Sequence, residues 1–346
     1  MIFTSTTARQ ISFLIGAFFL FAPFCRMFAQ TVPVEPKIVI APANQKVATK
    51  QNRNKVFRGS ETSAEKSIVV DAKVNISLCI AEGRLKINGW ERSEIRVFVG
   101  GGGEVGFKVL QKNKQNNAVW VMVTGFGAAQ NREKSGEECL SGEEIELDVP
   151  RGAVVNVKGS ASEMTIEAVR KVDIKIVSGD ISLNNIAEGI NAATYNGDVT
   201  VENSGGAMTL ESANGSIVAF DAAPSEIGDI FKAKTSGGAI TLQQIEYRQT
   251  EISSNTGSLK FTGEFQNGGQ YDFRTVSGGI LLVIPEKSSC KLNATYGFGR
   301  FNSELKLDII TENNTSKARS IVGSMGKGDA NVNLTTYSGA IRIKKQ

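Results

Sequence analysis

Two aspartates one repeat apart are the best candidates for chemistry in this 346-residue sequence. Asp180 lies in Ser178-Gly179-Asp180-Ile181 and Asp198 in Asn196-Gly197-Asp198-Val199, 18 residues later. If the repeats stack, the two carboxylates stand above one another, and a carboxylate pair is the acid/base equipment of glycoside cleavage. The competing reading is a short polar corner residue that bonds its own backbone. The third copy, Asn214-Gly215-Ser216-Ile217, has serine in place of the acid, which favours that reading. A second candidate is aromatic: Tyr296, Phe298 and Phe301, spaced around Gly297 and Gly299, offer a stacking surface for sugars or a bulge packing its own rings.

Other chemistry is narrowed by composition. The chain contains no histidine, so imidazole-dependent triads, most zinc sites and haem ligation fall away. Gly101-Gly102-Gly103-Glu104-Val105-Gly106 spells G-x-G-x-x-G, but a dinucleotide site needs a helix to follow and the next run reads as a strand. It is expected to be a hairpin loop. The Gly-Asp steps lack the serial nonapeptide of calcium-binding rolls. No metal and no cofactor are expected.

The elements that must position these residues repeat. The Gly-Asp step recurs with a period of 18, and looser copies follow at Ser236-Gly237-Gly238-Ala239-Ile240, Thr256-Gly257-Ser258-Leu259, Ser277-Gly278-Gly279-Ile280 and Ser338-Gly339-Ala340-Ile341. Half-period echoes occur at Gly189-Ile190 and at Gly205-Gly206-Ala207-Met208. Each copy opens an alternating run such as Ile181, Leu183 or Ile240, Leu242, which is a strand signature. Turn-plus-strand units at this period predict an all-β solenoid, a right-handed single-stranded parallel β-helix, whose rungs share one core. About ten rungs over 151–346, stacked ~4.8 Å apart, give a rod of roughly 50 Å. Glycine, with asparagine at Asn196 and Asn214, is expected at the corners to supply positive φ.

Four segments follow. Residues 1–29, with Arg9 ahead of a 14-residue apolar run from Ile11 to Phe24, read as a signal peptide too short to span a bilayer. Cys25 raises a lipoprotein alternative that its preceding residues do not support. Residues 30–66 read as a flexible basic linker with seven positive and three negative side chains. Without leader and arm, the body from Ser67 has 30 positive and 32 negative side chains, so nucleic acid is not an expected partner. No later stretch reads as a membrane span. Residues 67–150 supply first rungs, a hairpin and an amino-terminal cap, with strands expected at 74–80, 84–90, 94–99, 105–110, 119–124 and 145–149. Residues 151–346 are the repeat solenoid.

Three cysteines follow the leader, so in an oxidising compartment two can pair and one is left over. Cys79 with Cys139 is the favoured bridge, closing a loop that stabilises by roughly 4 kcal/mol in the chain-entropy description. Cys290 alternates with Leu292 and Ala294 and reads as a small buried hydrophobe.

The Ser-Gly-Asp-Ile, Asn-Gly-Asp-Val and Ser-Gly-Gly-Ile steps, Leu282-Val283-Ile284-Pro285, and the segment from Gly326-Lys327-Gly328-Asp329 to Tyr337-Ser338-Gly339-Ala340-Ile341 carry a resemblance. Over about 148–343 the chain resembles the bacterial putative adhesin domain of unknown function, similar in pattern to autotransporter adhesin heads. The resemblance implies a β-helix, a periplasmic, surface or extracellular place, and no catalytic residues. The expected function is a non-enzymatic envelope protein that binds a surface glycan or an envelope protein through a solenoid face. The alternative is a histidine-free polysaccharide lyase or glycosidase using Asp180 and Asp198.

Overall fold

The computed structural model describes residues 63–126, 139–161, 163–315 and 319–346. The expected signal peptide, 1–29, and all of the expected linker up to residue 62 lie outside them. Residues 63–66, placed in the linker by their charge, instead begin the first strand, Ser63–Trp90.

Alternation builds the architecture. In Lys171–Ser178, Val172, Ile174 and Ile176 are buried while the intervening side chains face outward. A period of 18 residues holds two such runs and two corners, so each rung contributes two strands. First strands pair in parallel as sheet I: Val154–Gly159, Lys171–Ser178, Gly189–Asn196, Ala207–Asn214, Phe231–Thr235, Gln249–Ser254 and Gln270–Thr275. Second strands form sheet II: Glu163–Glu167, Asp180–Asn184, Val199–Glu202, Ile217–Ala222, Ile240–Ile245, Leu259–Thr262 and Ile280–Ile284. Inward residues of both sheets make one apolar cluster. The fold is an all-β solenoid. The half-period glycine echoes mark the second corner.

The amino-terminal end is woven from one long strand. Residues 63–69 of Ser63–Trp90 pair antiparallel with Glu94–Gly100, residues 75–80 lie in sheet I between Ala118–Phe126 and Val154–Gly159, and residues 84–88 lie in sheet II between Leu140–Pro150 and Glu163–Glu167. The antiparallel hairpin of Glu104–Lys112 with Ala118–Phe126 covers the end of sheet I. The glycine run at 101–103 is therefore not a hairpin loop. It carries the chain from Glu94–Gly100, paired in sheet II, to Glu104–Lys112, paired in sheet I. The hairpin turn lies at 113–117, where the Asn113 side-chain oxygen accepts the Gln115 and Asn117 amides at 3.0 and 2.9 Å.

At the other end the rungs stack out of chain order. After Ile284 the chain forms Cys290–Thr295 and Phe301–Ser303, then the antiparallel hairpin Asp308–Asn314 with Arg319–Met325. The last strands then return: Ala330–Thr336 fits between Gln270–Thr275 and Cys290–Thr295, and Ile341–Lys345 fits between Ile280–Ile284 and Phe301–Ser303. Among the described residues nine two-strand rungs therefore lie beyond residue 151, counting the intercalated one, against about ten expected.

Corner glycines supply positive φ as expected at Gly179 and Gly197, with φ of 120° and 147°, and at Gly189 and Gly206, with φ of 137° and 84°, but the asparagines do not. Asn196 and Asn214 do not have positive φ; the left-handed corner residues other than glycine are Ala168, Asn185, Asn203, Asp221 and Gln244, with φ of 47–57°, one per rung at the second corner. From Gly215 onward the first-corner glycine does not have positive φ and is required by close approach. A Cβ on Gly215 would sit 2.0 Å from the Gly197 carbonyl oxygen, and one on Gly238 would sit 1.9 Å from that of Gly215. A buried hydroxyl three residues before each of these glycines ties rung to rung: Ser212, Thr235, Ser254, Thr275 and Thr336 donate to the carbonyls of Gly197, Gly215, Gly238, Gly257 and Gly278 at 2.7–2.9 Å. Buried hydroxyls cost free energy unless bonded, and each of these is bonded.

Cys79 and Cys139 form a disulfide with Cα atoms 4.6 Å apart. Cys290 is a buried free thiol on the inward face of its strand. Burial pushes it from 9.0 to about 12, and pushes Tyr271 from 10.0 to about 12. Both groups are neutral in the fold while their unfolded counterparts ionise earlier, so their contribution is complete below pH ~9 and disappears as pH rises toward 12. Urea midpoints are expected to fall between pH 9 and 11, and less steeply in Cys290→Ala. Parallel pH profiles for the two proteins would refute this role for Cys290.

Candidate functional site

The outer face of sheet I is hollowed along its length. One hollow of about 620 Å3 lies between Trp120, Asn156, Lys158 and Lys175. A second, about 390 Å3, is lined by Lys175, Tyr195, Glu211 and Lys234, and a third, about 380 Å3, by Glu211, Lys234, Glu251 and Arg274. Adjoining hollows share Lys175, or Glu211 and Lys234, so the three form one trough along the stacking direction.

Register decides what lines it. One outward column runs Lys158, Lys175, Ala193, Glu211, Lys234, Ser253, Arg274; the other runs Asn156, Asp173, Asn191, Thr209, Lys232, Glu251, Asp272. Neighbours within a column are ~4.8 Å apart. Lys232 pairs with Glu251 at 3.2 Å, and Arg274 pairs with Asp272, whose hydrogen bond and charge raise the guanidinium above its usual value. Exposed Trp120 donates its indole N–H to Ser77 Oγ at 3.2 Å, and the Tyr195 side chain is exposed at the edge of the trough. A floor of alternating cations, anions, amides and hydroxyls, edged by two aromatic rings, suits an extended polar chain lying across several rungs. Among the described residues no group of three or more potential metal ligands occurs.

The residues singled out from the sequence lie elsewhere. Asp180 and Asp198 stack at the first corner, beside sheet II. Asp180 Oδ1 accepts the backbone N–H of Asp198 at 2.8 Å, and Asp198 Oδ1 accepts that of Ser216 at 2.7 Å. Ser216 Oγ continues the series by accepting the Ala239 N–H at 3.3 Å, so serine does the work of the acid it replaces. The bonds run to the next rung, not to the residue's own turn. Tyr296 is buried and packs near Phe301, with ring centroids 6.0 Å apart. Phe298 is exposed and meets Tyr337 edge-on at 5.3 Å. The intercalated last rung brings in Tyr337, a partnership invisible in local spacing. The trough residues were also missed: only the outward positions of the aligned repeats could have revealed them.

Geometry thus defines a two-sheet β-solenoid with one troughed face. The chain belongs to the Toastrack DUF4097 family, which it matches over residues 37–344. No curated protein matches it. Among solved structures, a putative cell adhesion protein from Clostridium sporogenes ATCC 15579 is 13% identical, with 82% of this chain and 100% of that chain covered and a TM-score of 0.24. A putative lipid binding protein from Parabacteroides distasonis ATCC 8503 is 8% identical, with 83% and 98% covered and a TM-score of 0.27. Among the described residues no helix is long and apolar enough to cross a membrane.

Proposed function

We propose that this chain is an exported, non-enzymatic envelope or surface protein that binds an extended glycan or protein segment along the sheet I trough. The observation that carries this reading is the row of three adjoining hollows from Trp120 to Arg274. The disulfide supports an oxidising compartment. The carboxylates on which polysaccharide cleavage would rest are engaged by backbone N–H groups at a corner outside the trough, which favours their structural role.

The test is binding of the purified chain to a panel of bacterial and host polysaccharides and matrix proteins. Lys175→Glu combined with Lys234→Glu is expected to weaken binding at least tenfold with an unchanged melting temperature, because both side chains are on the outer face of sheet I. Asp180→Asn combined with Asp198→Asn is expected to leave binding unchanged, since an amide oxygen still accepts the rung-to-rung bonds. Turnover of any polysaccharide that disappears in the second variant would establish the enzyme instead. Binding indifferent to the first variant would move the site away from the trough.

A further inference from the structure

We propose that the outer face of sheet II is a self-complementary interface through which two copies of this chain pair face to face, with their rods running in opposite directions. Charge is segregated along the eight strands of this face from Glu163–Glu167 to Ile341–Lys345, which lie next to the outward Arg84 and Lys86 of residues 84–88. The first four of these strands present Glu163, Glu167, Asp180, Glu202 and Asp221 outward and no cation, whereas the last four present Lys260, Arg342, Lys344 and Lys345 and no acid. Lys345 pairs with Glu286, whereas among the described residues Glu163, Glu167, Glu202, Lys260, Arg342 and Lys344 have no ion-pair partner in their own chain. The face is not wholly polar: Val218, Phe220, Leu281 and Val283 point outward and are half-buried.

Register fixes how two such faces meet. From Glu163–Glu167 to Ile341–Lys345, eight strands lie side by side in sheet II. A two-fold axis parallel to the strands, between Ile217–Ala222 and Ile240–Ile245, reverses the stacking direction of the partner. It sets the rung of Glu163 and Glu167 against that of Arg342 and Lys344, and the rung of Glu202 against that of Lys260. Symmetry makes each contact twice, as an isologous interface requires. Val218 and Phe220 then meet Thr241 and Gln243 near the axis. Eight strands ~4.8 Å apart, five residues each at ~3.3 Å, make a face of roughly 650 Å2. Two faces would bury about 1,300 Å2, within the range of stable specific interfaces. Parallel pairing would set each charged rung against its own like, which is unfavourable.

The experiment is sedimentation equilibrium of the full chain at low ionic strength. A dimer is expected that loosens as salt is added, because exposed charge pairs are screened. Glu163→Lys with Glu167→Lys, and separately Arg342→Glu with Lys344→Glu, should each raise the dimer dissociation constant by roughly tenfold or more. Mixed in equal amounts, the two variants should recover wild-type affinity, since each reversed rung then faces an opposite one. That recovery also shows both variants to be folded. A chain monomeric at every concentration, a dimer indifferent to both variants, or a mixture that stays dissociated would each overturn the proposal.

Discussion

Replacing Gly238 with alanine should destabilise the solenoid by about 3–5 kcal/mol, whereas the same change at its neighbour Gly237 should cost less than about 1 kcal/mol. A Cβ on Gly238 would lie 1.9 Å from the Gly215 carbonyl oxygen and 2.3 Å from its carbon. Both atoms are backbone and belong to a sheet held on two sides, so the rungs must separate. Separation also strains two buried bonds at the same point: Thr235 Oγ1 to the Gly215 carbonyl at 2.7 Å, and Ser254 Oγ to the Gly238 carbonyl at 2.9 Å. A Cβ on Gly237 meets nothing closer than 3.7 Å, and Gly237 does not have positive φ. Urea unfolding of the two variants decides the matter. Equal midpoints would mean that the stacked glycines are tolerated for their flexibility and not demanded by contact.

That pair shows what the sequence made legible and what it did not. The period of 18 and the alternating runs were enough for a solenoid, because a 2-residue alternation between recurring glycines has few other ways to bury its apolar face. The role of the glycines was legible only in part: Gly179 and Gly197 have the expected positive φ, and the later first-corner glycines do not. Positive φ and close approach leave the same residue type, and in Gly237-Gly238 and Gly278-Gly279 the packed glycine is the second of one pair and the first of the other. The missing signal was the hydroxyl. A buried Ser or Thr stands three residues before the packed glycine in Thr235 to Gly238, Ser254 to Gly257 and Thr275 to Gly278. Reading Ser/Thr-x-x-Gly would have selected the packed glycine in both pairs.

The candidate site was less legible than the fold, for a physical reason. Asp180 and Asp198 attracted attention because they sit in the repeat's most conspicuous step, yet a residue that recurs at a corner is there to serve the corner. The trough takes its character from residues that do not repeat: Lys158, Lys175, Glu211, Lys234 and Arg274 occupy equivalent outward positions with different chemistry. The same holds for sheet II, where variation in charge along its outward columns gives the face its polarity. In a stacked fold the invariant positions hold the rod together, and the surface is free to differ from rung to rung.

Deleting residues 326–346 should unfold the segment 290–325 while leaving the rungs before residue 285 intact. The reason is the order of stacking. Cys290–Thr295 pairs with Ala330–Thr336 and Arg319–Met325, and Phe301–Ser303 pairs with Ile341–Lys345; neither touches the rung ending at Ile284 through a strand pairing of its own. The last rung is thus the bridge. It buries Val332, Leu334, Ile341 and Ile343, each contributing about 1.5–3 kcal/mol. It also supplies ladder bonds on both sides, among them Ile280 N–H to the Ala340 carbonyl at 2.9 Å and Ile341 N–H to the Arg300 carbonyl at 2.8 Å. Limited proteolysis with hydrogen exchange should show protection lost from residue 285 onward and kept over 154–262, because rungs in a stack depend mainly on their neighbours. Gly339→Val is the point version of the same experiment, since a Cβ there would lie 1.7 Å from the Gly278 carbonyl oxygen and keep the last rung from docking. Unchanged protection of 290–325 in the deleted chain would mean that those strands find another edge on which to pair, and the returning rung would then be a cover and not the bridge.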